Sequence, residues 1–274
     1  MSRLADLHTH TYYSDSTLSP QELIEQAHQN GLSCLAVTDH DTVEGIAPSM
    51  EAARKYGIEI ITGIELSSEI HGKEVHILGY LFNREHGFLT DQLNRMQDVR
   101  IERMKTMIEK LRGLGIKNIE LEEVCALTKT KSVGRPHLAT ILKEKGAVSD
   151  YTQAFEKFLA EGRPAYVSKF KQTPYEAIAL IRQAGGLAVL AHPMLTGIDE
   201  LIPSLVKAGM KGLEVYYPNV PENVIYFYEG LAKKHHLLMT GGSDAHGDIK
   251  KNTRIGRIKI PYALVEQLKE AVRA

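Results

Sequence analysis

The chain has 274 residues, 43% of them hydrophobic and 24% charged, enough to bury a large core without disulfides or a structural metal. A formal net charge of −1 argues against a protein that coats nucleic acid, and two cysteines, Cys34 and Cys125, cannot build a disulfide framework. No run approaches the roughly 18 apolar residues of a membrane span, and the opening Met-Ser-Arg-Leu-Ala-Asp has no apolar signal region, so a cytoplasmic protein with reduced thiols is expected.

Short apolar strands alternate with helical patterns from the start. Arg3 to His8 reads as a strand, Ser19 to Gln29 as a helix, Cys34 to Thr38 as a strand, Ile46 to Tyr56 as a helix and Glu59 to Leu66 as a strand. That order predicts parallel strands joined by crossover helices. The first helix carries its own start and stop signals: Ser19 as N-cap, Pro20 at the first helical position, Glu22 at the capping-box position and Gly31 just past the end.

The alternation stops after Lys73 to Phe82 and resumes near Leu187. Between them Leu89, Leu93, Met96, Met104, Ile108 and Leu111 recur at helical spacing until Gly113 and Gly115. Two shorter helices follow, one opened by Gly134-Arg135-Pro136-His137 and ended by Gly146, the other capped by Asp150 and ended by Gly162. Residues 88–163 therefore read as a helical insertion, a candidate substrate lid, carried by a domain of residues 1–87 and 164–274. Charge divides along the same line. Residues 88–171 hold 16 Lys and Arg against 11 Asp and Glu, and the remainder 17 against 23. Such a basic segment either faces an anionic substrate or is an ordinary solvated surface.

Strands return at Ala188 to Ala191, Gly212 to Tyr216, Leu237 to Thr240 and Thr253 to Ile260. Helices are expected around Pro174 to Gln183, Ile198 to Ala208 and Val220 to Lys233, and from Tyr262 onward. The pattern suits a closed or nearly closed parallel α/β barrel better than an open sheet.

Of the 12 histidines, six lie at or just beyond strand ends, where barrel enzymes place their chemistry. The first strand runs into His8-Thr9-His10 and then Asp15; residues two apart in an extended segment share a face, so both imidazoles can reach one metal. Thr38-Asp39-His40-Asp41, Glu65, His76, Ala191-His192-Pro193 and Ser243-Asp244-Ala245-His246 follow on later strands. Gathering so many imidazoles and carboxylates is costly unless cations neutralise them. Neutral imidazole with carboxylate suits zinc, manganese or iron, whereas calcium wants oxygen alone.

In order and spacing, His8-Thr9-His10, Thr38-Asp39-His40-Asp41, His192-Pro193 and Ser243-Asp244-Ala245-His246 resemble the four motifs of the PHP (polymerase and histidinol phosphatase) family of metal-dependent phosphoesterases. The resemblance implies a distorted (β/α)7 TIM-like barrel with two or three divalent metal ions, manganese, zinc or iron. Carried over residue by residue, it puts His8, His10, Glu65 and Asp244 on one metal, Glu65 as a bridge to a second with His76 and His192, and Asp15, His40 and His246 on a third. Glu69 and His71 compete with Glu65 and His76 for those places. For His28, His71, His86, His235 and His236 a surface or capping role is the plainer reading.

An acidified water held between metals would attack phosphorus at neutral pH without a protein nucleophile, and no nucleophile elbow or phosphate-cradling glycine loop is visible. Asp39 and His192 are the candidates to protonate the leaving group. Arg135 and His137, at a helix start in the basic segment, are candidates for a phosphate site, with Lys169 and Lys171 as weaker ones. Tyr12, Tyr13, Tyr166, Tyr216 and Tyr217 can stack on a base or pack in the core. The Gly-Arg-Pro-His insertion resembles the PHP branch acting on nucleoside 3',5'-bisphosphates and on the 5' ends of short RNA or DNA. Small nucleotides and short oligonucleotides are therefore the expected substrates, with no membrane or obligate protein partner. A histidinol phosphate phosphatase and a non-catalytic metal-binding module are the alternatives.

Overall fold

A computed structural model describes residues 3–168, 172–249 and 253–273. Eight strands form one sheet: β1 (Leu4–Thr9), β2 (Cys34–Val37), β3 (Glu59–Ile70), β4 (Lys73–Tyr80), β5 (Leu187–Leu190), β6 (Gly212–Tyr216), β7 (Leu238–Gly241) and β8 (Ile260–Pro261). Their order is β7-β6-β5-β4-β3-β2-β1-β8. Beyond β7 the chain returns to β1: Thr9 bridges Ala245 in parallel, and the Asp244 amide donates to the His8 carbonyl at 2.8 Å. The sheet thus curls into the expected barrel. β2 and β5 are buried at every position, the signature of strands covered on both faces.

Between β1 and β7 the parallel run is interrupted by one strand. β3 continues past Leu66 to Ile70, and β4 returns antiparallel to both β3 and β5. The cause is local. His71 and Gly72 both have positive φ (52° and 78°) and make a two-residue turn between Ile70 and Lys73, which suits a twisted hairpin, whereas a parallel return needs a crossover of a dozen residues or more. The strand expected over Thr253 to Ile260 shrinks to β8, paired antiparallel with the start of β1, because the chain turns at Gly256 (φ 72°) first.

The helices are α1 (Pro20–Gln29), α2 (Ile46–Arg54), α3 (Gly87–Gly113), α4 (Leu121–Cys125), α5 (Arg135–Glu144), α6 (Tyr151–Ala154), α7 (Pro174–Gln183), α8 (Pro193–Thr196), α9 (Ile202–Ala208), α10 (Glu222–Lys234) and α11 (Tyr262–Arg273). The Ser19–Glu22 capping box opens α1 as its sequence dictates, with the Ser19 amide 2.8 Å from Glu22 Oε2. One apolar cluster packs α1, α2, α7, α9, α10 and the first half of α3 (Leu89, Leu93, Met96) against the strands. A second, separate cluster belongs to α3–α6 and includes Met104, Ile108, Leu111, Leu138 and Leu142. Among the described residues no helix is long and apolar enough to cross a membrane.

Candidate metal centre

Glu65, in the middle of β3 and 1% exposed, divides its two carboxylate oxygens among five imidazoles. Oε2 lies 3.1 Å from His8 Nε2, 3.2 Å from His10 Nε2 and 3.3 Å from His40 Nδ1. Oε1 lies 2.7 Å from His76 Nδ1 and 3.0 Å from His192 Nε2. Around this hub three groups of side chains bring their ligand atoms within 4.8 Å of one another: His8, His10, Glu65 and Asp244; His10, Asp15, His40 and His246; and His40, Glu65 and His76. All nine histidines and carboxylates singled out as metal candidates therefore converge. The grouping differs in detail from the family-based expectation, since His10 and His40, like Glu65, each belong to two groups, and His40 stands with Glu65 and His76, where His192 was expected. Glu69 faces Glu74 and His71 sits in the hairpin turn, both toward the far end of the β3–β4 ladder from Glu65.

Strand ends supply the geometry. His8 near the end of β1 and His10 just past it bring their rings 5.2 Å apart, and His76 on β4 is turned toward Glu65 on the paired β3. Three non-glycine residues in or beside the cluster hold positive φ: Asp41 (52°), His192 (26°) and Asp244 (48°). Such backbone costs on the order of 1–3 kcal/mol at each position and persists only where the surroundings fix it. Each amide here is anchored to another strand: Asp41 to Glu65 O at 3.2 Å, His192 to Glu214 Oε2 at 2.8 Å, Asp244 to His8 O at 2.8 Å. Gly242 permits the last of these approaches. A Cβ there would sit 2.3 Å from both the amide nitrogen and Cβ of His8.

Burial opposes charge throughout the cluster, and close partners overrule it selectively. Burial raises the Glu65 carboxyl, but His40, His76 and His8 together hold it well below the carboxylate range. Asp15 is held down in the same way by His246, His40 and His10. Burial lowers His8, yet Glu214, Glu65 and Asp244 lift it well above the usual imidazole value; His10 rises to about 9 against the same penalty, through Asp244 and Glu65. For His40 burial wins and its ring is pushed well down.

The donor set fits divalent metal ions. Both ring nitrogens of His10, Nδ1 of His40 and Oδ1 of Asp15 are buried without a hydrogen-bond partner, although carboxylate oxygens or imidazoles stand 3–4 Å away. Buried polar atoms that approach this closely without hydrogen-bond geometry are what an ion between them would satisfy. The mixture of imidazole and carboxylate suits zinc, manganese or iron.

The other candidates fall in different places. Asp39 is 1% exposed and both its oxygens are engaged, Oδ1 by the Thr11 amide (2.7 Å) and the Ser14 hydroxyl (2.6 Å), Oδ2 by the Thr11 hydroxyl (2.6 Å). Arg135 donates to Glu74 Oε2 at 2.8 Å, and Glu74 is in turn 2.8 Å from His76 Nε2, so this arginine is one carboxylate away from the cluster. His137 is buried and its Nδ1 accepts from the Gly134 amide at 2.9 Å, a helix-start capping bond. Burial, with Arg135 and Arg100 nearby, lowers Arg103 to about 10, so part of the basic excess is packed together and not spread over the surface. Lys169 and Lys171 lie outside the described residues. Tyr217 is buried, with its hydroxyl donating to Asp244 Oδ2 at 2.7 Å.

Two buried carboxylates escaped the sequence reading. Glu214 is fully buried, with Oε1 2.9 Å from His8 Nδ1. Asp6, raised to about 6 by burial, accepts from the Ser243 and Gly256 amides at 2.8 and 3.0 Å. The available signal was a lone acid inside an apolar strand, Leu213-Glu214-Val215 and Ala5-Asp6-Leu7.

Comparison with known proteins agrees with this geometry. A PHP domain model matches residues 6–273. A 5'-3' exoribonuclease of Haemophilus influenzae is 35% identical over 251 residues, covering 90% of this chain and 91% of that protein. A 3',5'-nucleoside bisphosphate phosphatase of Chromobacterium violaceum is 33% identical over 246 residues, covering 88% and 86%. The crystal structure of a protein from Bifidobacterium adolescentis superimposes with a TM-score of 0.88 at 30% identity, covering 96% of this chain and 94% of that one. The chain belongs to the PHP domain family of metal-dependent phosphoesterases.

Proposed function

We propose that this chain hydrolyses phosphate esters of small nucleotides, a nucleoside 3',5'-bisphosphate or the 5' end of a short RNA or DNA. The observation that carries the reading is the single Glu65 carboxylate shared by five imidazoles, with the arginine-bearing start of α5 one residue contact away through Glu74. The names of the two relatives, an exoribonuclease and a bisphosphate phosphatase, support the substrate class.

In this reading His8, His10, Asp15, His40, Glu65, His76, His192, Asp244 and His246 hold two or three divalent metal ions. Bound there, the metals supply Lewis acidity toward the phosphoryl group and lower the pKa of water. Glu214 and Tyr217 keep His8 and Asp244 in place. His192 is the better placed of the two proton-donor candidates, because its Nδ1 has no hydrogen-bond partner while Asp39 has no unengaged oxygen. Arg135 binds a phosphate that is not cleaved, exchanging or sharing its contact with Glu74. The helices α3–α6 close over the substrate as a lid, with residues 88–163 as the inserted unit.

The test is a phosphate-release screen on manganese-loaded protein with adenosine 3',5'-bisphosphate, 5'-phosphorylated short RNA and histidinol phosphate. Release from either of the first two is the expected result. Release from histidinol phosphate alone, or from none, overturns the proposal.

A further inference from the structure

Asp41, at the barrel mouth beside His40, is tied through its backbone and both carboxylate oxygens, although the metal-binding reading gives it no part. Its amide donates to Glu65 O (3.2 Å) and its carbonyl accepts from Gln97 Nε2 (3.1 Å). Oδ1 accepts from the Ser67 amide (2.8 Å), and Oδ2 takes both Nε (2.8 Å) and Nη2 of Arg100. Arg100 spends its other contacts on Val133 O (3.2 Å) and the Ser67 hydroxyl (3.0 Å). Gln97 and Arg100 lie one turn apart on α3, so the long helix grips one residue through side chain and backbone together. The residue gripped has φ 52° and follows His40 directly; the carbonyl of His40 itself accepts from the Ser132 hydroxyl.

We propose that Arg100 is a positioning residue for the metal centre: by locking Asp41 in its left-handed conformation, it fixes the His40–Asp41 peptide and so the aim of the His40 ring at Glu65 and Asp15. The inference rests on the reading that His40 and Glu65 bind metal. It makes the helical insertion a working part of the metal site, in addition to whatever it covers. Physical chemistry favours a specific role over mere stapling. A buried ion pair adds little net stability over apolar packing, while the φ of Asp41 is a strained setting that needs an external hold. Guanidinium is the group able to bind Oδ2 through two nitrogens and still reach Ser67 and Val133. A lysine there keeps the charge and loses the fork.

The experiment titrates chelator-stripped full-length protein with Mn2+, following free Mn2+ by electron paramagnetic resonance, for the wild type, Arg100→Lys and Ser132→Ala, with a thermal melt of each. The expected result is Mn2+ binding weakened about 10- to 100-fold at the groups that include His40, as for other groups that orient a ligand, with the His8, His10, Glu65 and Asp244 group at wild-type affinity and a native-like melt. Excess Mn2+ should then restore hydrolysis with an unchanged KM. Wild-type affinities in both variants overturn the proposal, as does an equal loss across all Mn2+ classes that tracks a lowered melting temperature. If Arg100→Lys does not fold, Ser132→Ala decides, since it removes one hydroxyl only. A wild type that binds no Mn2+ is a different failure, which brings down the metal-binding reading itself.

Discussion

His8 Nδ1 lies 2.9 Å from Oε1 of Glu214, a residue 206 positions away in the chain and fully buried on β6. Because a carboxylate can only accept, this contact holds a proton on Nδ1 and turns Nε2 of the same ring into the cluster, 3.1 Å from Glu65 Oε2. The second oxygen of Glu214 accepts from the His192 amide at 2.8 Å, at a residue whose φ of 26° few side chains adopt. One carboxylate therefore sets two imidazoles.

Replacing Glu214 separates those jobs. Glu214→Gln keeps the volume but removes the charge, and should weaken metal binding about 10- to 100-fold with the barrel intact. Glu214→Ala additionally leaves a buried amide unpaired and should cost about 1–3 kcal/mol of stability. Metal titration and urea melts of both variants check this; wild-type metal affinity in Glu214→Gln would remove Glu214 from the centre.

Metal binding should strengthen as pH rises. In the metal-free protein burial pulls the His10 imidazole down, but Asp244 and Glu65 raise it to about 9, so at pH 7 the ring carries a proton that must leave before it can ligate. Between pH 6 and about 9 the apparent affinity should climb by about tenfold per pH unit for each proton released. The same raised pKa makes the protonated ring a stabilising element of the metal-free fold that is lost as pH rises through about 9. Calorimetric titration in buffers of different ionisation enthalpy counts the protons directly, and a count of zero would show that His10 binds nothing.

The site was legible in the sequence to the extent that its residues are local to strand ends. His8-Thr9-His10 declares itself because a two-residue repeat at a strand end can put both rings on one face, and Asp244-Ala245-His246 declares itself as an acid and a histidine just past β7. Glu214 and Asp6 could not be found this way. Each is a single acid whose partner lies on another strand, and which strands become neighbours is decided by the closing of the barrel. Asp41 was visible as part of a motif, but its tie to Arg100 joins residues 59 positions apart, and nothing in either local pattern announces it. The reversal of β4 was within reach, since His71-Gly72 between two apolar runs is a hairpin turn. Reading the run as a regular βα alternation concealed it.

Gly242 should tolerate no side chain. The Cβ of alanine would meet backbone and Cβ of His8 at 2.3 Å, and those atoms cannot swing away, because β1 is held by β2 on one side and by the 244–245 segment on the other. Relief requires β1 and the segment after β7 to separate, which breaks the Asp244–His8 hydrogen bond. Gly242→Ala should therefore destabilise by more than about 2 kcal/mol and lower metal affinity together. A urea midpoint equal to wild type would mean that β1 and the segment after β7 can part without opening the barrel.

Arg135 offers the sharpest test of substrate choice. Its guanidinium is partly buried and held on Glu74, with the rings of Phe155 and Tyr166 each 5.7 Å away, so it is pre-oriented and loses little freedom on meeting an anion. A charged hydrogen bond of this kind contributes about 1.5–3 kcal/mol, or roughly 10- to 100-fold in binding. If the contact forms equally in the bound and transition states, as expected for a phosphate that is not cleaved, the loss falls on KM and spares kcat. Arg135→Ala should thus raise KM for adenosine 3',5'-bisphosphate by that factor and leave KM for p-nitrophenyl phosphate, which carries a single phosphate, unchanged. The control matters because removing Arg135 also releases Glu74 toward His76, 2.8 Å away; damage through that route would lower kcat for both substrates alike. A parallel fall in kcat therefore assigns Arg135 to the metal centre, and unchanged kinetics with both substrates removes it from the site.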